Sequence, residues 1–173
     1  MHAKLSVVAL SVAAALAMGA CGKKEEPKTA APAAPAAPAA PAPKPEVVVK
    51  LGHVAPMTGP QAHLGKDNES GARLAIEELN AQGLEIGGAK VTFELLGEDD
   101  QADPKQGSIV AQKLVDAKVA GVIGHLNSGT TIPASKLYSD AGIPQISGSA
   151  TNPKYTQQGF KTSFRLLAND NAL

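Results

Sequence analysis

The chain has 173 residues, 16 basic and 16 acidic side chains, one cysteine and no tryptophan. Balanced charge excludes a nucleic-acid or anionic-membrane surface built on bulk charge. The single cysteine excludes an intrachain disulfide, and the core must rest on Val, Ile, Leu and Ala.

Residues 1–21 read as an export signal. Lys4 is followed by an uncharged apolar run over residues 5–17. Spanning a bilayer takes about 20 such residues, so the run fits the apolar stretch of a secretory signal instead. Two processing patterns compete. Ala15-Leu16-Ala17 is a small-x-small cleavage site, and Met18-Gly19-Ala20-Cys21 resembles a lipobox with Met18 where leucine is usual. The only cysteine sits at that place and a tether follows at once, which favours lipidation of Cys21 over an incidental cysteine in a cleaved peptide. Residues 22–45 form the tether. Its PKTAAPAAPAAPAAPAPKP stretch offers little to bury, its prolines deny helix hydrogen bonds, and it should sample polyproline II at up to roughly 3 Å per residue.

Residues 46–173 remain for one small folded lobe. Residues 46–54, EVVVKLGHV, predict a strand buried on both faces of a parallel sheet. A helix is predicted over 66–81, with Ala72, Ala75, Ile76 and Leu79 on one stripe, an Arg73–Glu77 pair at i,i+4, and Gly83 beyond its end. Residues 90–96 predict a second strand. Asp103-Pro104 opens the next helix with a cap and a first-turn proline, and Val110, Leu114 and Ala117 give it an apolar stripe. A third strand is predicted over 119–124, a helix from Ser128 or Thr130 to about Ala141, a fourth strand over 143–146 and a fifth over 162–166. This alternation predicts an α/β lobe, a mostly parallel Rossmann-like sheet flanked by helices.

Ligands gather at the carboxyl ends of such strands. Those ends here are 55–65, 97–103, 125–131 and 147–152, all rich in Gly, Ser, Thr, Asn and Asp. In Gly124-His125-Leu126-Asn127-Ser128-Gly129-Thr130-Thr131 a strand gives way to a helix whose first amides favour a carboxylate. Ser128 can add its hydroxyl there, or serve only as a cap. In Ser147-Gly148-Ser149-Ala150-Thr151-Asn152-Pro153, the Thr151 amide suits an anion, while its hydroxyl and the Ser149 carbonyl suit an ammonium. Plain turn chemistry accounts for the same residues.

Other motifs fail. GPQAHLGK at 59–66 has five residues between its glycines and Asp67 after the lysine, so it is not a phosphate-binding P-loop. Gly124–Ser128 lacks the spacing of a nucleophile elbow. His2, His53, His63 and His125 have no metal-ligand spacing. His125 has no evident nucleophile or carboxylate partner, so no base role is assigned to it. Glu98-Asp99-Asp100 at a strand end suits a cation or a cap on the next helix, and plain structural use is favoured. No cofactor and no metal site is expected.

From Gly52-His53-Val54-Ala55-Pro56-Met57-Thr58-Gly59-Pro60 onward the chain resembles the leucine/isoleucine/valine-binding proteins of ABC importers. The resemblance continues through Gly71-Ala72, Ala75-Ile76, Ile86-Gly87-Gly88, Asp99-Asp100 and Asp103-Pro104-Lys105-Gln106. It is strongest at Val122-Ile123-Gly124-His125-Leu126 and Pro133-Ala134-Ser135, and it covers essentially all of 46–173. It implies a periplasmic receptor with two lobes that close on an aliphatic amino acid, a membrane permease as partner, no nucleic acid, no catalysis, and membrane contact only through a lipid on Cys21. By the same resemblance Ser128 holds the ligand carboxylate, Leu126 and Asn127 line the pocket, and Ser149, Ala150 and Thr151 form the loop that holds the ligand's charged ends. Leu64 matches a pocket aromatic of some relatives, and Ala102 and Asn127 match two cysteines that pair in others. The second lobe that the resemblance implies, with an acidic partner for the ammonium, is missing from the 173 residues. Without it, leucine should bind very weakly or not at all. Alternatives are a receptor or sensor of the same fold for an amide, urea or aromatic acid, or an enzyme on an α/β scaffold.

Overall fold

The structure is a computed structural model that describes residues 42–172. The export signal at 1–21, lipidation at Cys21 and the tether up to residue 41 lie outside the described residues.

The β-branched run forms β1 (Glu46–Ala55), but only its last four residues are buried; against the expectation of burial on both faces, Val47 and Val48 are 45% and 60% exposed. α1 (Ala62–Ala81) follows, then a two-residue strand β2 (Glu85–Ile86) and the long β3 (Ala89–Asp99). α2 (Pro104–Asp116), β4 (Gly121–Gly124), α3 (Ser128–Asp140), β5 (Gln145–Ser147), the single turn α4 (Lys154–Gln157) and β6 (Ser163–Arg165) complete the order. The sheet runs β2-β3-β1-β4-β5-β6. Every pairing is parallel except β2 with β3. Apart from that antiparallel edge, the order is the doubly wound 2-1-3-4-5 arrangement. The chain moves outward from β1 to β3, then crosses back to β4 on the other flank of β1.

Helices lie on both faces. Val54 and Val122 point toward α2 and α3 and build the main core with Val110, Ala111, Leu114, Ala134, Tyr138 and Ile143. On the opposite face α1 packs its Ala72 and Ile76 over β1 and β3. On that side Ile146 and Phe164, partners across β5 and β6, remain 38% and 48% exposed. None of the described helices covers them.

The local chemistry accounts for several element ends. Asp103 caps α2 by accepting the Gln106 N–H at 2.7 Å, with Pro104 in the first turn. Asn80 closes part of the outer edge of β3 by donating to the Phe93 carbonyl at 2.9 Å and accepting its N–H at 2.8 Å.

Five further expectations are corrected. The third strand opens at Gly121 rather than residue 119, Val119 turning into the core. α1 begins at Ala62 rather than residue 66, because nothing after Pro60 interrupts the helix. Ala75 is exposed, so the buried stripe of α1 is narrower than expected. Arg73 pairs with Glu69, not Glu77, the favoured orientation with the acid N-terminal to the base. The fourth strand opens at Gln145, two residues late: Ile143 turns into the core, and Pro144 has no N–H for the ladder. β2 was not anticipated. Its two residues turn back through Gly87-Gly88, both at positive φ, as a tight hairpin requires.

Candidate ligand-binding site

β1 and β4 are neighbours in the sheet but lead to opposite flanks, so a crevice opens above their carboxyl ends. One wall is the start of α1 with Gln61 and Leu64. The other is the start of α3 with Leu126, Asn127 and Ser128. The loop after β5 supplies Ser149, Ala150 and Thr151.

The walls are tied across the crevice. The Asn127 amide donates to Gln61 Oε1 at 2.8 Å. Asn127 is the residue before α3, and its side chain, being so engaged, does not cap the helix. The amides of Thr130 and Thr131 both return to the Asn127 carbonyl. Those of Ser128 and Gly129 have no such partner among the described residues. Two first-turn amides, with the positive end of a 13-residue helix behind them, therefore face outward. Asn127 Oδ1 is buried and receives no hydrogen bond, a polar group that a donor on a ligand would satisfy.

Ser128 is half-buried, and its Oγ accepts the Asn152 N–H at 3.2 Å. That contact joins the two candidate ligand loops and leaves the serine proton to donate. Ser149 is half-buried and its hydroxyl reaches Asn68 on α1 at 3.4 Å. Thr151 is half-buried, with its carbonyl taken by the Asp170 N–H. Ala150 is 1% exposed and its N–H is bound to Ser147 Oγ, so it supports the loop from behind. Leu64 is 44% exposed and Leu126 half-buried, which puts apolar surface on both walls.

The acidic run at the end of β3 fastens these loops from below. Asp99 accepts the Met57 and Gln101 amides and the Thr58 hydroxyl. Burial raises its pKa, but those hydrogen bonds outweigh it and hold the carboxyl below its usual range. Glu98 pairs with Lys113 of α2 at 2.6 Å. Asp100 is the carboxylate partner of His125 that was not evident in the sequence, at 3.0 Å and fully buried. Burial lowers the His125 pKa despite the adjacent carboxylate. At Asp100 burial acts upward, and hydrogen bonds from His125, Thr130 and Ala102 bring the net shift below the usual value. Gln61, Asn68 and Ser147 also contribute without having been foreseen. Gln61 and Asn68 act through loops 66 and 81 residues apart meeting in space, and Ser147 through the His125 carbonyl 22 residues earlier, pairings for which the sequence carries no local signal. Among the described residues no group of three metal-ligating side chains converges.

A doubly wound lobe with free helix-start amides, hydroxyls and an unpaired amide oxygen around a switch-point crevice has the features of a small-molecule-binding α/β lobe. The chain belongs to the periplasmic binding protein family, whose model matches residues 48–173. Over 125 residues it is 46% identical to the Leu/Ile/Val-binding protein homolog 1 of Brucella abortus, covering 72% of this chain and 32% of that protein. It is 43% identical to the leucine-specific-binding protein of Salmonella typhimurium over 124 residues, covering 72% and 33%. Among solved structures it resembles the branched-chain amino acid transporter substrate-binding protein of Streptococcus pneumoniae in complex with isoleucine. That likeness has a TM-score of 0.65 and 32% identity, over 72% of this chain and 35% of the other. The chain thus spans about a third of the length of the curated relatives it matches.

Proposed function

We propose that residues 46–173 are the N-terminal ligand-binding lobe of a receptor for branched-chain amino acids that delivers leucine, isoleucine or valine to an ABC importer. The observation that carries this reading is the Ser128 end of α3. Its uncapped amides and serine proton face the same crevice as the 149–151 loop, in a lobe shared with a relative solved with isoleucine.

The ligand carboxylate sits on the amides of Ser128 and Gly129 and the Ser128 hydroxyl. The ammonium is shared by the Ser149 carbonyl, the Thr151 hydroxyl and Asn127 Oδ1. Leu64 and Leu126 meet the aliphatic side chain. Good small-molecule sites enclose about 70–90% of the ligand, and this crevice is open on one side, so a second lobe completes it. The receptor works in the periplasm, held at the membrane by a lipid on Cys21, and passes its ligand to a membrane permease. It performs no catalysis and uses no cofactor.

The test transfers residues 48–172 into the matching third of the Salmonella leucine-specific-binding protein and titrates the chimera calorimetrically with leucine, isoleucine, valine and 4-hydroxybenzoate. Stereospecific binding of the aliphatic amino acids is expected. A folded chimera that binds none of them, while the unaltered Salmonella protein binds leucine alongside, sinks the assignment.

A further inference from the structure

The most deeply buried polar groups of the lobe lie behind the ligand loops. Asp100, His125 and Tyr138 are each 0% exposed. His125 Nδ1 is 3.0 Å from Asp100 Oδ2, and Nε2 is 3.2 Å from the Tyr138 hydroxyl. Burial raises the Tyr138 pKa, so the phenol stays protonated and donates to Nε2. Nδ1 then carries the proton and donates to the Asp100 carboxylate. The imidazole is neutral, in one tautomer and one orientation.

From His125 the constraint runs forward through the main chain. The His125 carbonyl accepts the Ser147 hydroxyl at 2.8 Å, with Thr131 Oγ1 at 3.2 Å. Ser147 Oγ in turn accepts the N–H of Ala150 at 3.0 Å and of Ser149 at 3.3 Å. Ser147 is itself fully buried. The placement of the 149–151 loop against the Ser128 end of α3 therefore depends on where His125 sits, and His125 is held from both sides of its ring.

We propose that Asp100, His125 and Tyr138 are positioning residues of the ligand site, fixing the spacing between the Ser128 helix start and the 149–151 loop without touching ligand. This rests on the receptor reading only in taking those two loops as the ligand loops. The two can fail separately, because the test below uses no ligand.

The experiment is nitrogen-15 NMR of the full chain and its Tyr138→Phe, Asp100→Asn and Ser147→Ala variants. In the unaltered chain at pH 7 the His125 ring should be the neutral Nδ1–H tautomer. In Asp100→Asn, the Ala102 N–H at 3.0 Å holds the remaining oxygen at the Oδ1 position. The new amide then donates to Nδ1 and the ring switches to Nε2–H, with Tyr138 accepting. Tyr138→Phe and Asp100→Asn should both shift the amides of Ser149, Ala150 and Asn152, while those of Lys90 and Val91 at the far end of β3 stay in place. Ser147→Ala should move the Ser149 and Ala150 amides and leave the His125 tautomer unchanged. A purely structural role would lower stability, whatever the tautomer, without shifts at 149–152. An Nε2–H or cationic ring in the unaltered chain overturns the proposal even if both partner variants fail to fold. So do unmoved Ser149, Ala150 and Asn152 amides in variants that do fold.

Discussion

Gly65 and Gly71 stand in the same helix, six residues apart, and the structure assigns opposite signs to the same substitution. Glycine within a helix is less stable than alanine by roughly 0.5–1 kcal/mol, chiefly through unfolded-chain entropy. A methyl at Gly71 meets nothing within 4 Å, so Gly71→Ala should gain that amount. Gly65 sits where α1 crosses the loop leaving β1. A methyl there would overlap the Pro56 carbonyl, with its own carbon 2.7 Å from the carbonyl carbon and 3.3 Å from the Pro56 nitrogen. Ordinary contact begins near 3.4 Å, so the carbonyl carbon alone requires the loop to retreat by about 0.7 Å, and the carbonyl oxygen, nearer still, requires more. The obstacle is backbone, and no rotamer change relieves it. Overpacking of this kind costs about 1–3 kcal/mol. With the main chain as the obstacle the upper end applies, and the helix gain offsets about 1 kcal/mol of it. Gly65→Ala should therefore destabilise by about 2 kcal/mol, placing it roughly 3 kcal/mol below Gly71→Ala. Urea unfolding of the two variants and the unaltered chain, followed by far-ultraviolet circular dichroism, measures the gap. A Gly65→Ala protein as stable as Gly71→Ala would refute the close seating of α1 on the Pro56 loop, and with it this placement of Gln61 and Leu64.

Acid should weaken the lobe early. His53 and His125 are both buried with lowered pKa values, burial being the main cause at each. Around His53 lie Glu69, Arg73, His125 and Asp100, whose opposing charges do not reverse the shift. The unfolded chain binds protons on both below about pH 6.5 while the folded chain does not, so stability falls with falling pH by up to about 1.4 kcal/mol per unit for each histidine. Unfolding measured from pH 7.5 to 5 tests this, and a flat profile contradicts it. Asp99 and Asp100, with lowered folded pKa values, add stability above about pH 3.9 that is lost as pH falls through those folded values. Asp103→Ala removes the α2 cap and should cost about 1 kcal/mol, with Asp103→Asn nearly neutral. Asn80→Ala leaves both main-chain groups of Phe93 without their side-chain partner, and should cost about 1–3 kcal/mol.

What the sequence disclosed was local. The β-branched run of β1, the Asp-Pro opening of α2 and the Gly-Ser-Thr-Asn loops state their roles within a few residues, and the α/β alternation follows from them. The candidate ligand loops could be singled out for the same reason, since a strand running into a hydroxyl at a helix start needs no distant partner. Pairings across the fold were not. His125 showed no carboxylate because Asp100 lies 25 residues earlier and is brought beside it only by the parallel placement of β3, β1 and β4. Gln61 gave no sign of meeting Asn127, 66 positions on. β2 is too short to show a period. Arg73 had acidic residues at both i−4 and i+4, and the half-buried Glu69 won because it packs toward the sheet.

The central claim is that the Ser128 end of α3 holds the carboxylate of an aliphatic amino acid. Its most direct test compares leucine with leucinol, which keeps the side chain and the ammonium but lacks the carboxylate. Calorimetry on the chimera and its Ser128→Ala variant gives the four affinities. A hydrogen bond to a charged group is worth about 1.5–3 kcal/mol, or about 10- to 150-fold in affinity. Ser128→Ala should weaken leucine by about that factor and leave leucinol nearly unchanged. Equal losses for the two ligands, or no loss for leucine, would contradict the assignment of the carboxylate to this helix start.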